Sequence, residues 1–314
     1  MRKFNISESE QFLDYFQEHG YVIIKGAVNN KKIDNFIKAY TKIKENPFFV
    51  YYSQSSHSVM KPKLNKHGFI LDSMQSATNL SFFKRFTATF KECLYDRNVS
   101  KALNVLTGFK SHISWQNMFF DKSTGTVDHQ DSWYLDTDPA GNMIGVWYAL
   151  EDISKESGAF YVLDKTHKLG LISSEDHPDH DSYVEFIQDI LNKNINSKKL
   201  MTIDKGDIIL WSSFLIHGAD KQTIESLSRK SFTSHFYPLG LNPKQTHKNS
   251  LFSIYNHERP KKTINPNLFS AISINGYIYN LLLYLLYIRD LITGFTRTLS
   301  VNKVKSMKRE DINR

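Results

Sequence analysis

Gly206-Asp207-Ile208-Ile209-Leu210-Trp211-Ser212-Ser213-Phe214-Leu215-Ile216-His217-Gly218-Ala219 is the stretch on which the reading of this chain turns. A Gly-Asp turn opens it, and four apolar residues then read as a buried strand. Two serines break the run. Phe214 to Ile216 resume it and end on a histidine, followed by two residues small enough to let a ligand approach. The same texture extends in both directions. Ile113–Phe120, Ile144–Leu150, Gly158–Leu163, Lys199–Ile203 and Ser231–Tyr237 are all strand-like. Helical spacing precedes them. Helices first and many short strands afterwards predict a mainly β fold with flanking helices, a β-sandwich or jelly roll.

Three regions follow. Residues 1–110 hold helices and a first strand. Ser7-Glu8-Ser9-Glu10 matches a capping box for a helix to His19, with Gly20 as its stop. Tyr21-Val22-Ile23-Ile24 is a strand, and Asn30 is placed to cap a second helix bearing Ile33, Phe36, Ile37 and Tyr40 at helical spacing. Asn46 to Phe69 reads as a loop, and Asn79 to Leu106 as helical. Residues 111–240 form the strand-rich core, interrupted by a helical excursion over 181–194. There Ser182-Tyr183-Val184-Glu185 repeats the capping-box pattern, and Tyr183, Phe186, Ile187, Ile190 and Leu191 make an apolar stripe, a cover over the sheet or a lid. His177-Pro178-Asp179-His180 before it reads as a solvated loop. Residues 241–314 are a C-terminal extension with an apolar helix and a basic tail.

His129-Gln130-Asp131 supplies the chemistry. On a strand, residues i and i+2 share a face, so His129 and Asp131 can grip one metal ion while Gln130 turns away. His217, 86 residues beyond the aspartate, adds a second imidazole from another strand. Two histidines and one carboxylate are the ligand set of a non-haem iron site with open positions. Two of those positions suit a bidentate 2-oxo acid and one suits dioxygen. A surface histidine beside a turn aspartate, and a core histidine at a strand end, are the competing readings. Arg229 follows His217 and opens an alternating segment in which Arg229, Ser231 and Thr233 share a face, with Phe232, Ser234 and Phe236 opposite. A guanidinium suits bidentate capture of a carboxylate, and Ser231 offers a hydroxyl.

With these residues in view, the chain resembles the phytanoyl-CoA dioxygenase family of iron(II)/2-oxoglutarate oxygenases. The likeness runs from about Phe12 to Pro238. It rests on Phe12 to Ile24, Asp128-His129-Gln130-Asp131, Val146 to Ile153, Glu156-Ser157-Gly158-Ala159-Phe160, Gly206-Asp207-Ile208, Ile216-His217-Gly218 and Arg229. The resemblance implies a double-stranded β-helix (jelly roll, cupin-like) with iron at one open end. It implies His129, Asp131 and His217 as Fe(II) ligands, 2-oxoglutarate and O2 as co-substrates, and Arg229 as the clamp on the distal carboxylate. Halogenating relatives have a small residue in place of the aspartate, so Asp131 argues for hydroxylation. Where the family has Pro-Gly-Ser-His, this chain has Asp164-Lys165-Thr166-His167. Gln116 and Asn117 are both candidates for the near end of 2-oxoglutarate, and only one can face inward. Phe119, Trp133 and Tyr134 are candidate substrate walls, with ordinary core packing as the alternative.

Composition sets the outer limits. Hydrophobic residues make up 40% and aromatics 13% of 314 residues, enough for a globular core. The single cysteine, Cys93, excludes an internal disulfide framework and fits a reducing, cytoplasmic compartment. A net charge of +8 favours an anionic small-molecule substrate or an acidic membrane surface. No nucleic-acid-binding signature accompanies the charge. Tyr277 to Ile292 is apolar but interrupted, shorter than the roughly 20 residues that span a bilayer. It reads as a buried or homodimer-forming helix, or as an interfacial one assisted by the basic tail. A non-catalytic jelly-roll binding module and a peripheral membrane oxygenase acting on lipid-linked or surface-glycan precursors are the competing functional classes.

Overall fold

A computed structural model describes residues 1–54, 56, 58–245, 277 and 280–293. The basic tail expected after the last helix lies outside the described residues. Strands β1 (Tyr21–Ile24), β2 (Tyr51–Ser53), β3 (Ser58–Met60), β4 (Met74–Gln75), β5 (His112–Phe120), β6 (Leu135–Asp138), β7 (Ile144–Ala149), β8 (Phe160–Leu163), β9 (Lys198–Leu200), β10 (Ile208–Ser212), β11 (His217–Ala219), β12 (Ser231–Pro238) and β13 (Asn242–Gln245) build the sheets. Eight of them form one antiparallel sheet in the order β1-β10-β7-β12-β5-β4-β2-β3. A three-stranded sheet, β11-β8-β9, and the β13-β6 pair complete the jelly roll.

The long apolar runs belong to strands buried on both faces. Successive side chains on a strand point oppositely. Ile208 and Leu210 therefore enter a helix-side core with Phe36, Phe90, Tyr148 and Phe232. Ile209 and Trp211 enter an inner core with Trp147, Phe160 and Leu215. Each fully buried side chain of this size contributes roughly 1.5–3 kcal/mol. Helices α1 (Ser9–His19), α2 (Asn30–Lys44), α3 (Lys84–Leu94) and α4 (Arg97–Thr107) precede the main strands. Residues of α2 and α3 supply much of the first core: the Phe36 ring lies 5.3 Å from Phe86 and 5.5 Å from Phe90.

Helix starts differ from the sequence expectation by one to three residues. The Ser7 capping box does not form. Glu8 Oε2 instead accepts from the backbone N and side-chain Nδ2 of Asn5, at 2.6 and 2.9 Å, and α1 begins at Ser9. Asn29, not Asn30, caps α2 by accepting from Lys31 N at 2.8 Å. Helix α6 (His180–Lys193) is capped by Asp179, which accepts from Ser182 N at 2.9 Å, so Ser182 lies inside the helix. Adjacent Asn, Asp and Ser residues can all cap, and the one with extended backbone takes the role. Asn79–Leu106 is not one helical stretch: the chain breaks at Tyr95 and Asp96, and Asp96 caps α4 through Asn98 N at 3.0 Å. The expected 46–69 loop contains the short strands β2 and β3.

Two local features shape the inner space. Thr233 pairs with Met118 but His235 pairs with Trp115, so Gln116 and Asn117 bulge together opposite Ser234. Gln116 carries the positive φ of 44° that the bulge demands. In the turn Asp164-Lys165-Thr166-His167, Lys165 takes a left-handed φ of 69°, the position where the resembling family has glycine. Its ammonium group pairs with Glu18.

Candidate metal centre

His129 and His217 face each other as cross-strand partners. Each backbone N–H donates to the other's carbonyl at 3.0 Å, the doubly bonded pair of an antiparallel ladder. The ladder thus carries the His129 segment onto the edge of the small sheet beside β11. Each ring is then turned by its own Nδ1, which donates to a carbonyl two residues back. His129 Nδ1 lies 2.7 Å from Val127 O, and His217 Nδ1 lies 2.9 Å from Leu215 O. These bonds fix the tautomer and leave both Nε2 atoms as free lone pairs.

Asp131 completes the group, though not as the next inward position of one strand. Its backbone begins the short helix α5 (Asp131–Tyr134), which follows the single extended step at Gln130. Oδ1 lies 3.4 Å from His129 Nε2 and 3.6 Å from His217 Nε2. The three candidate ligand atoms all fall within 4.8 Å of one another. Oδ2 points elsewhere: Trp211 Nε1 donates to it at 2.8 Å, and His235 Nε2 lies 3.3 Å away. Burial alone would raise the Asp131 pKa, but the imidazoles of His235, His217 and His129 gathered around it hold it well below the usual carboxylate range. Burial pushes His217 down to about 4, which keeps it a neutral ligand at physiological pH. For His129, burial opposes protonation, but the hydrogen bond and charge of Asp131 raise its pKa.

Gln130 turns from this cluster and anchors the loop. Its Nε2 donates to Phe214 O at 2.7 Å and Gly170 O at 2.9 Å, and its Oε1 accepts from Ile172 N at 3.0 Å. Helix α6 grips the same loop from outside. Tyr183 OH accepts from Gln130 N at 2.7 Å, Gln188 Nε2 donates to Asp128 Oδ2 at 2.9 Å, and His180 Nε2 meets Tyr134 OH at 3.0 Å. The excursion is therefore a brace for the metal-ligand loop. His177 and Asp179 serve that brace too, one accepting from Trp133 Nε1 and the other capping the helix.

Arg229 is the other chemically loaded residue. It is 1% exposed, yet its only hydrogen bond from the guanidinium among the described residues is Nη1 to Gly158 O at 3.1 Å. Its Nε has no partner, and the group lies over Phe120 and Trp147, 5.2 and 5.8 Å from the ring centres. Phe160 stacks 6.1 Å from Trp147 and lies 5.4 Å from His217, so a chain of aromatic contacts joins the cation to the histidines. Desolvation lowers the Arg229 pKa to about 10, still protonated at neutral pH. A buried cation without a counter-charge costs several kcal/mol, which an anionic ligand would offset. Ser231 is buried beside it and donates to Arg229 O at 3.2 Å.

The remaining candidates separate. Asn117 is spent on Thr78: its Oδ1 accepts from Thr78 N at 3.2 Å and its Nδ2 donates to Thr78 Oγ1 at 2.9 Å. Gln116 stands half-buried at the bulge. Phe119 packs in the helix-side core, 4.5 Å from the Tyr40 ring, on the wrong face of β5 for a substrate wall. Trp133 is buried and stacked on Tyr183 at 4.4 Å, under α6. Tyr134 does adjoin the cluster, its ring 5.5 Å from His129. Sequence reading missed His235, Trp211 and Gly145. Carrying the Arg229-Ser231-Thr233 alternation one step further reaches His235.

A sequence profile of the phytanoyl-CoA dioxygenase family matches residues 16–231. This chain belongs to that family. It is 24% identical over 246 residues to the peroxisomal phytanoyl-CoA dioxygenase of Bos taurus, covering 75% of this chain and 70% of that one. Among solved structures, the non-haem α-ketoglutarate-dependent carbocyclase SnoK from nogalamycin biosynthesis superposes with a TM-score of 0.58 at 13% identity, covering 84% of this chain and 97% of that one. EctD from S. alaskensis with 2-oxoglutarate and 5-hydroxyectoine superposes with a TM-score of 0.55 at 16% identity, covering 75% and 77%. Family and fold make the protein an oxygenase of the jelly-roll type. Its His-Asp-His donor set fits Fe(II), with 2-oxoglutarate and O2 as co-substrates.

Proposed function

We propose that the protein is an Fe(II)/2-oxoglutarate-dependent hydroxylase acting on a C–H bond of a small, anionic metabolite. The observation that carries this reading is the convergence of two Nε2 atoms and one carboxylate oxygen on a single point inside the jelly roll. When bound, iron(II) with 2-oxoglutarate and O2 supplies the oxidant for C–H hydroxylation, with succinate and CO2 as co-products.

The chain's residues do the positioning. His129 Nε2, Asp131 Oδ1 and His217 Nε2 would hold the metal from one side and leave the opposite positions to small ligands. Arg229 offers its unpaired guanidinium edge to the far carboxylate of 2-oxoglutarate, with Ser231 beside it. Gln116 is the candidate left for the near end. Trp147, Phe160 and Trp211 wall the interior and exclude water, which strengthens the Arg229–carboxylate attraction. Tyr134 stands at the His129 side, where substrate would enter. A carboxylate at position 131, rather than a small residue, leaves no vacancy for halide and supports hydroxylation. The net charge of +8 supports an anionic substrate.

The test is anaerobic addition of Fe(II) and 2-oxoglutarate to purified protein. A weak visible charge-transfer band is expected, absent in His129→Ala and Asp131→Ala. Incubation with cell extract should then yield a metabolite heavier by one oxygen, dependent on 2-oxoglutarate. A binding module without catalysis would show neither the band nor succinate, and that result would reject the proposal.

A further inference from the structure

The last described helix, over 280–293, is apolar on both sides. One side seats it on the domain. Leu283 is fully buried, Asn280 Nδ2 donates to Asn79 O at 2.7 Å, and Tyr284 donates its hydroxyl to Phe48 O. The other side carries Leu281, Leu285, Ile288 and Ile292, spaced four, three and four residues apart and so aligned along the helix. They are 55%, 55%, 51% and 60% exposed. Phe82, whose ring lies 6.1 Å from Tyr284, and Phe48, whose carbonyl accepts from Tyr284, are exposed beside the helix. A water-facing helix surface is ordinarily polar, and a contiguous apolar patch marks an interaction surface.

Charge identifies the partner. Residues 246–276 contain four Lys or Arg and one acidic residue, and residues 294–314 contain six and two. Both stretches flanking the helix are therefore basic. Arg289 borders the stripe with 60% of its side chain exposed and is paired with Asp290 at 2.6 Å, and on the seated side Lys61 Nζ lies 6.0 Å from the Tyr287 ring centre. An aliphatic helix face between two basic stretches of sequence complements a bilayer surface, apolar beneath an anionic layer. A second copy of this chain would bring like charges together. No described helix is long and apolar enough to cross a membrane, so the contact lies in the plane of the interface. We propose that this helix docks the enzyme on anionic phospholipid membranes through Leu281, Leu285, Ile288 and Ile292. The docking face does not include the metal centre, so this proposal stands apart from the hydroxylase reading.

The experiment is flotation of the full-length protein with phosphatidylcholine vesicles, with and without phosphatidylserine. Binding to the anionic vesicles is expected, weaker by roughly tenfold or more without phosphatidylserine and falling with added salt. Leu285→Glu/Ile288→Glu should weaken it by roughly tenfold or more while leaving the thermal unfolding profile intact, because these side chains face outward. Sedimentation velocity without vesicles should give a monomer. Absence of binding to anionic vesicles, equal binding to both vesicle types, or unchanged binding of the double variant would overturn the proposal. So would a dimer that the double substitution dissociates.

Discussion

His235 Nε2 lies 3.3 Å from Asp131 Oδ2, on the opposite carboxylate oxygen from the one that faces His129 and His217. A carboxylate only accepts, so His235 presents Nε2–H there, alongside the Trp211 indole at 2.8 Å. The two donors occupy Oδ2 and leave Oδ1 for the metal. His235→Leu removes one of them and should weaken Fe(II) binding about 10–100-fold, the usual cost of losing such an orienting bond. His235→Gln, able to donate again, should recover part of the loss. Anaerobic Fe(II) titration reads both, and unchanged affinity in His235→Leu would show that the contact does not orient the carboxylate.

Gly145 makes room for the other donor. It pairs with Trp211 across β7 and β10, and a Cβ placed on it would come 2.2 Å from the indole. No rotamer change at residue 145 relieves that overlap, since a Cβ has none. Gly145→Ala should therefore displace the indole and destabilise the fold by about 1–3 kcal/mol, the range for overpacking. Iron affinity should drop with it, because Trp211 Nε1 leaves Asp131. Urea unfolding and metal titration on the same variant check the pair, and a stability loss with undiminished iron affinity would separate Trp211 from the site.

His112 predicts an acid sensitivity outside the metal centre. It is buried, its Nε2 lies 2.7 Å from Thr107 Oγ1, and burial pushes its pKa from 6.5 down to about 4. Between those values the unfolded chain takes up a proton that the folded protein refuses. Stability is thus full above pH 6.5, declines as the pH falls, and has lost the whole contribution below pH 4, a loss of about 3 kcal/mol. His112→Gln keeps a hydrogen-bonding group without the titration and should flatten the decline. Urea unfolding of metal-free protein at pH 7.5 and 5 measures it, and parallel declines in both proteins would discount His112.

Much of this was legible because strand burial and ligand chemistry leave local marks. Ile208 to Trp211 read as a buried strand from composition alone, and the paired imidazoles and carboxylate announced a metal. What stayed hidden depends on register. The β5 bulge decides that Asn117 serves Thr78, and no propensity encodes a bulge at Gln116. Phe119 and Trp133 have the aromatic character of a substrate wall, and Trp133 follows the His129–Asp131 loop directly, but their faces are set by β5 parity and by the stacking of Tyr183 on Trp133. The caps at Asn29 and Asp179 displaced neighbours of equal chemical ability. His235 was within reach, since it continues the alternation of Arg229, Ser231 and Thr233, but its partner Asp131 lies 104 residues earlier.

Arg229 yields a prediction in which stability and binding move oppositely. The guanidinium is 1% exposed and has no ion pair among the described residues, while its Nε has no hydrogen-bond partner. Replacing an uncompensated buried charge with an apolar side chain is commonly neutral or stabilising. Arg229→Leu should therefore unfold, without 2-oxoglutarate, at the same urea concentration as the parent or at a higher one, a gain of up to about 2 kcal/mol. The parent, metal-loaded under anaerobic conditions, should gain about 2.7 kcal/mol when 2-oxoglutarate is present at a hundred times its dissociation constant. The variant should gain almost nothing at that concentration, because the clamp proposed for the far carboxylate is gone. Equal stabilisation of both proteins by 2-oxoglutarate would place the co-substrate's distal end elsewhere and remove Arg229 from the site.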